Sequence, residues 1–201
     1  MFDTAIRHRI DPWLDRIAAR LAAAGMGANA ITWCGFAIGM AGALAIVWQA
    51  QATALVLILV SRLCDGLDGA VARRTAKTDL GGYLDIVLDF GFYGAVPLAF
   101  ALADPAANAT AAAVLIAAFY FNGASFLAFA LLAEKRGTGE GARGSKSLVY
   151  TAGLAEGFET IALFVVFCLV PAWFPPLAYA FAALTLTTTA ARLALAYRTF
   201  V

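Results

Sequence analysis

Two neighbouring stretches decide the fold and the site, DGLDGAVAR at 65–73 and GGYLDIVLD at 81–89. Between them they place four aspartates in otherwise apolar sequence: Asp65, Asp68, Asp85 and Asp89. The first pair is spaced i,i+3 and the second i,i+4, so on helices the two members of each pair share a face. Four carboxylates that converge form an anionic oxygen site, which suits Mg²⁺, Mn²⁺ or Ca²⁺ better than a soft metal.

The composition around these stretches is that of an integral membrane protein. Of the 201 residues, 63% are hydrophobic and 13% are charged, and the mean hydropathy is +0.82. A soluble domain carries about 25% charged residues. The net charge of +1, without a basic tail or stripe, excludes a nucleic-acid partner.

The hydropathy pattern predicts an all-α membrane protein with six transmembrane helices. The predicted spans are 29–50, 53–75, 80–103, 108–133, 150–171 and 175–197. Residues 1–24 precede them and alternate apolar positions with arginines, which predicts an amphipathic helix lying in the membrane interface. We therefore expect an interfacial helix at 1–24 and one transmembrane domain at 29–197.

The positive charges of the loops predict the orientation. The segments 49–53, 104–109 and 171–176 contain no Lys or Arg, whereas the opposite side carries the basic N-terminal helix and the other loop cations. Positive charge collects on the cytoplasmic side, so both termini are expected there. The aspartates then lie near the cytoplasmic ends of spans two and three.

The residues beside the aspartates suggest a diphosphate ligand. Glycines leave room for a group that approaches the backbone, and Arg73 follows the first pair by about one turn. A divalent cation flanked by arginine and glycine can bridge phosphate oxygens and neutralise a leaving group. Two other interpretations are a structural ion-pair network and an ion pathway, since intramembrane carboxylates also mark such pathways.

The pattern resembles the signature of the CDP-alcohol phosphotransferases, D-x-x-D-G-x-x-A-R, a spacer, then G-x-x-x-D-x-x-x-D. Eight positions match: Asp65, Asp68, Gly69, Ala72, Arg73, Gly81, Asp85 and Asp89. The N-terminal helix, the six spans and Asn29-Ala-Ile-Thr32 at the start of span one also resemble the family. The spacer is one residue shorter than usual, which leaves open whether Gly81 or Gly82 is the motif glycine.

The resemblance implies a role for each matched residue. The four aspartates would hold two divalent ions, Mg²⁺ or Mn²⁺, with Asp85 and Asp89 catalytic and Asp89 as general base. The nucleotide and its diphosphate would contact Gly69, Ala72, Arg73 and Gly81. The protein would transfer a phosphatidyl or substituted phosphate group from CDP-diacylglycerol, or from a CDP-linked alcohol, to an acceptor hydroxyl and release CMP. Family members are usually homodimers, so we expect a homodimer here, and we expect it in a bacterial inner membrane.

The acceptor alcohol is less defined. Glu156 and Glu159 on span five and Asn122 on span four are candidates for an acceptor pocket, although contacts between helices are the commoner explanation of such residues. Carboxylates there would favour a polyol or a cationic alcohol. Arg62 and the loop cations are candidates for binding a phosphorylated acceptor instead. Two alternative functions remain, a divalent-cation transporter that uses the same carboxylates and a catalytically silent assembly protein of the same fold.

Overall fold

The computed structural model describes residues 2–136 and 157–201, which are helical almost throughout and contain no strand. Seven α-helices and one 3₁₀ turn occur in these ranges. In chain order they are α1 Phe2–Ala23, α2 Ala28–Val47, α3 Gln51–Arg74, α4 Asp79–Ala103, α5 Pro105–Lys135, α6 Gly157–Leu169, the 3₁₀ turn Pro171–Trp173 and α7 Phe174–Phe200. The predicted all-α membrane fold is confirmed.

Four of the described segments are long and apolar enough to cross a membrane: α2, α4, α5 and 171–200. Helix α3 has 24 residues, but its second half carries the aspartates and arginines of the motif. Helix α6 has 13 described residues, and the first part of the predicted span 150–171 lies outside the described residues. The count of six spans therefore stays a prediction.

A cluster of aromatic side chains forms the centre of the bundle, where α4, α6 and α7 meet. Phe100 of α4 stacks on Phe174 with ring centroids 4.6 Å apart, and Phe167 packs edge-on against Phe174 at 4.7 Å. Phe92 and Phe164, which are fully buried, continue this cluster toward the aspartates, since Phe92 lies three residues after Asp89. The buried aromatic cluster thus extends to within one helical turn of Asp89.

Helices α2 and α3 pack closely because α2 presents glycines to its neighbour. A Cβ atom added at Gly35 would lie 2.8 Å from Cys64 Cβ, and one added at Gly42 would lie 3.3 Å from Ile58 Cγ1. Small residues at such a spacing let two membrane helices approach with their backbones near contact. This seam fixes Ser61 and the following residues of α3 against α2.

Helix α1 lies beside the end of α3 that bears the aspartates. Its buried Ala18 packs with Ile31 of α2 and with Ala70 and Val71 of α3, while Trp13 stays 67% exposed. One face of α1 therefore contacts the protein and another is open. Its location in the membrane interface stays a prediction.

Candidate active site

Three of the four predicted aspartates converge at the junction of α3 and α4. Asp65 and Asp68 come from α3 and Asp85 from α4, and each offers a carboxylate oxygen within 4.8 Å of the others. The i,i+3 spacing on α3 turns the first two carboxylates toward α4. They open into a pocket whose lining is Thr32, Gly35, Phe36, Ser61, Arg62, Asp65, Asp68, Asp85, Leu88 and Asp89.

Asp68 provides the test of whether this group fits a metal ion. Its side chain is buried, and its Oδ2 atom makes no hydrogen bond to any residue in the described ranges. The Thr32 hydroxyl lines the same pocket and donates to the carbonyl of Ala28 at 3.1 Å. A buried carboxylate oxygen without a partner costs folding free energy, and a bound divalent cation would satisfy it. Three oxygen ligands of this kind fit Mg²⁺ or Mn²⁺.

Asp89 lies in the same pocket but has a different partner. Arg62 Nη1 donates to Asp89 Oδ1 at 2.7 Å and lies 3.7 Å from Asp65 Oδ1. In this arrangement Asp89 is outside the group of three carboxylates, and Arg62 bridges it to Asp65. Its predicted roles as metal ligand and general base stay predictions.

Arg62 is held on several sides. Its guanidinium lies 4.3 Å from the centre of the Phe92 ring, and Nη2 donates to Ser61 Oγ at 3.2 Å. Ser61 in turn donates to the carbonyl of Gly35 at 2.8 Å. Because Gly39 has no side chain, Ser61 Oγ and the Phe92 ring fit where a Cβ atom would lie 2.8 Å and 2.9 Å from them.

The residues predicted to contact the nucleotide adjoin the pocket aspartates in sequence but are not among the residues that line the pocket. Around Gly69 the space is open, since an added Cβ atom would meet only Arg73 Nη1, at 3.7 Å. Arg73 is half exposed and lies 3.8 Å from Asp15 Oδ1 of α1, and Ala72 is half-buried. The surface between α1 and the end of α3 thus leaves room for a ligand beside a weakly held arginine.

The two glycines that open α4 have different surroundings. Gly81 N donates to Thr78 Oγ1 at 3.0 Å, which caps the helix, and an added Cβ atom at Gly81 would lie 3.1 Å from both Thr78 Oγ1 and Asn29 Oδ1. An added Cβ atom at Gly82 would meet nothing within 4 Å. Close packing against α2 therefore accounts for glycine at 81, while Gly82 faces open space.

Asn122, predicted for the acceptor pocket, belongs to a polar cluster between α5 and α7. Arg192, which is buried, donates to Asn122 Oδ1 at 2.9 Å and to Ser125 Oγ at 2.9 Å. Thr189 Oγ1 also donates to Asn122 Oδ1, at 3.3 Å. Arg192 is not among the predicted site residues, although a lone arginine inside an apolar span indicates a partner or a function.

The two glutamates predicted with Asn122 are only partly described. Glu159 lies in the first turn of α6 and is partly buried, whereas Glu156 lies outside the described residues. The start of α6 adjoins the site helix, since an added Cβ atom at Gly157 would lie 3.5 Å from the Tyr93 hydroxyl. Tyr93 follows Asp89 by one helical turn, so α6 begins one turn from the pocket.

Comparison with known proteins agrees with this geometry. The family model of the CDP-alcohol phosphatidyltransferases matches residues 25–191. The chain is 47% identical to the inner membrane protein YnjF of Escherichia coli over 201 residues, which is 99% of this chain and 97% of that protein. It is also 36% identical over 85 residues to the archaetidylinositol phosphate synthase of Pyrococcus horikoshii, covering 42% of this chain and 45% of the synthase.

A solved structure shares the fold. It is the crystal structure of the Mycobacterium tuberculosis phosphatidylinositol phosphate synthase with CDP-DAG bound, which superposes with a TM-score of 0.65 and 23% sequence identity, covering 90% of this chain and 91% of that one. The aspartate pattern predicted this family from the sequence, and the family model spans most of the chain. The chain belongs to the CDP-alcohol phosphatidyltransferase family.

Proposed function

We propose that the protein transfers a phosphatidyl group from CDP-diacylglycerol to the hydroxyl of an alcohol, releases CMP and depends on Mg²⁺ or Mn²⁺. The observation that carries the proposal is the convergence of Asp65, Asp68 and Asp85 with a buried, unpartnered Asp68 oxygen. They lie within the part of the chain that matches the CDP-alcohol phosphatidyltransferase family model, and a structural neighbour was solved with CDP-DAG bound.

Divalent cations, when bound, would neutralise the charge that develops on the diphosphate during transfer. We propose that Asp65, Asp68 and Asp85 hold one ion and that Asp89 completes the site for a second. Arg73 lies about one turn beyond Asp68 and is weakly held by Asp15, so it is free to exchange this contact for a phosphate oxygen. Gly69 and Ala72 leave the space that the cytidine would fill.

Asp89 would act as the general base. Arg62 engages its Oδ1 atom, and Oδ2 would accept the proton of the attacking hydroxyl. The hydroxyl oxygen forms a bond to the phosphorus that carries the diacylglycerol, the bond from that phosphorus to the bridging oxygen breaks, and CMP leaves with the electron pair. Proton and charge balance because Asp89 gains the proton that the alcohol loses.

The acceptor would enter from the side of α5 and α6. Glu156, Glu159 and Asn122 are the proposed pocket residues, and carboxylates there would select an uncharged polyol or a cationic alcohol over an anionic one. Arg192 and Thr189 already engage Asn122 Oδ1, so we expect the asparagine to orient the pocket rather than to bind the acceptor directly.

The protein would work as a homodimer in a bacterial inner membrane.

The test is CMP release by detergent-purified protein. CDP-diacylglycerol would be mixed with Mg²⁺ or Mn²⁺ and a panel of alcohols that includes polyols, amino alcohols and phosphorylated alcohols. We expect metal-dependent CMP release with one class of acceptor. The Asp89→Asn variant should reduce the rate by about 10²–10⁴-fold, the usual contribution of a general base.

Asp104→Asn is the matched control. It makes the same chemical change at the far end of α4, about 22 Å from Asp89 at 1.5 Å per residue, and an asparagine can still cap Ala107 as Asp104 does. Its activity should equal that of the wild type. If CMP is released only from a CDP-linked alcohol, that alcohol and not CDP-diacylglycerol is the donor. If the protein binds CDP but releases no CMP from any donor, the protein is a catalytically silent assembly protein. Metal uptake by proteoliposomes without release would favour the transporter.

A further inference from the structure

Arg62 is not one of the eight motif positions, yet it lies at the centre of the pocket. Its side chain is 15% exposed. One guanidinium nitrogen, Nη1, is shared between Asp89 at 2.7 Å and Asp65 at 3.7 Å. A fixed positive charge therefore lies between a carboxylate of the metal-binding group and the proposed general base.

Contacts with Phe92, Ser61 and Asp65 hold this charge in the pocket. Arg62 precedes Asp65 by three residues on the same helix, a spacing that keeps the two side chains neighbours in every helical state of α3. The Phe92 ring lies beneath the guanidinium, and Ser61 holds its second nitrogen. Even if Asp89 turned away to another partner, the guanidinium would remain beside Asp65.

The two halves of the site thus differ in charge. On the side of Asp68 and Asp85, no cation from the described residues pairs with the carboxylates, and a divalent cation is attracted. On the side of Asp89, a guanidinium already occupies the space between two carboxylates, and it repels any further cation at short range. The negative diphosphate of a nucleotide would offset that repulsion.

We propose that Arg62 is a positioning residue that stands in for a second divalent cation until the nucleotide binds. The free site would hold one ion, on Asp65, Asp68 and Asp85, while Arg62 keeps Asp89 oriented. A second ion would enter only together with the diphosphate. The inference rests on the proposed function and concerns the order in which the site fills.

The experiment counts Mn²⁺ ions bound to metal-depleted, detergent-purified protein by electron paramagnetic resonance, without and with CDP. The wild type should bind one ion tightly alone and a second only when CDP is present. Arg62→Gln removes the charge and should let the second ion bind without CDP, at least about tenfold more tightly than in the wild type. Arg62→Lys keeps the charge and should behave as the wild type.

Arg136→Gln is the control, because it removes another arginine that lies against a phenylalanine ring, that of Phe200, and whose hydrogen bonds go to the carbonyls of Thr199 and Phe200. It should leave Mn²⁺ binding unchanged. Asp89→Asn gives a second test that does not depend on the folding of the Arg62 variants. It leaves the three-carboxylate group intact, so the first ion should bind as in the wild type, and loss of that ion would overturn the inference.

Other outcomes would also overturn it. If the wild type binds two Mn²⁺ ions equally well without CDP, or if Arg62→Gln leaves Mn²⁺ binding unchanged, Arg62 does not control the entry of the second ion. If Arg62→Gln changed only the affinity for CDP, Arg62 would be a nucleotide contact. In these cases metal-dependent CMP release by the wild type would still stand. Metal-independent release, with no Mn²⁺ bound, would instead overturn the metal dependence and the inference with it.

Discussion

At the scale of single residues, Asp68 carries a buried carboxylate beside those of Asp65 and Asp85. In metal-free protein this arrangement costs stability, because the charges repel and Oδ2 is unpartnered. Asp68→Asn should therefore raise the stability of EDTA-treated protein by about 1–3 kcal/mol. The same change should abolish CMP release, since a neutral amide is a poor ligand for a hard cation.

Thermal unfolding in detergent, with EDTA and then with Mn²⁺, measures the stability of each variant without and with the metal ion. The wild type should gain stability when Mn²⁺ binds, and Asp68→Asn should gain little. Asp104→Asn controls for the amide substitution. A variant that melts below the wild type in EDTA would show that the Asp68 charge holds the fold instead.

The site shows which contacts of single residues could be predicted from the sequence and which could not. The spacing of the aspartates predicted that their carboxylates would converge, because helical periodicity fixes which side chains share a face. The spacing could not predict which residue Asp89 pairs with. In the sequence Arg62 is only one of several candidate cations for a phosphorylated acceptor, and the structure places it against Asp89, a residue 27 positions later on another helix. Such pairings depend on how α3 and α4 pack, which no local pattern contains.

At the scale of elements, the seam between α2 and α3 depends on glycine at position 39. An added methyl group would lie 2.8 Å from Ser61 Oγ and 2.9 Å from Phe92 Cδ2. Gly39→Ala should therefore destabilise the protein by about 1–3 kcal/mol through overpacking. It should also lower activity at temperatures where the protein remains folded, because both neighbours support Arg62.

Gly94→Ala on α4 is the control for this substitution. An added Cβ atom there would meet nothing within 4 Å, and alanine favours a helix over glycine by about 1 kcal/mol, so stability should stay equal or rise. Melting temperature and CMP release would be measured on both variants. Equal effects of the two substitutions would contradict a special role for the seam.

The helix boundaries show a second limit of sequence reasoning. The predicted span 29–50 ends as a helix at Val47, because Gln49 takes a left-handed conformation with φ of 58° and residues 48–50 turn into α3. Hydropathy alone does not register this turn, since Val47 and Trp48 are as apolar as the helix before them. The start of α4 at Asp79 and its end at Ala103 lie within one residue of the prediction, where a threonine cap and a proline mark them.

At the scale of the whole molecule, the orientation across the membrane is open to a direct test. The turn before α4 and the turn after it lie at opposite ends of a helix of 25 residues. If the loop cations set the topology, Lys77 faces the cytoplasm and Ala106 faces the outside. Single-cysteine variants Lys77→Cys and Ala106→Cys, made in a chain without its three native cysteines, would report this.

A membrane-impermeant maleimide added to intact spheroplasts should label Ala106→Cys and leave Lys77→Cys unlabelled. Inverted vesicles should give the opposite pattern, which controls for the reactivity of each position. Labelling of Lys77→Cys from outside would place the aspartates on the external side, where cytoplasmic CDP-linked donors could not reach them.

The contact of Arg62 with the Phe92 ring, above Gly39, has a consequence for the evolution of relatives. Each of these three positions depends on the next one: the Phe92 ring needs the space that Gly39 leaves, and the Arg62 guanidinium packs on that ring. A homologue with an uncharged residue at position 62 no longer needs a ring face at 92, whereas Ser61 still needs the space that glycine leaves at 39. Across an alignment, loss of the arginine should coincide with aliphatic residues at 92, while the glycine at 39 and the aspartates stay unchanged.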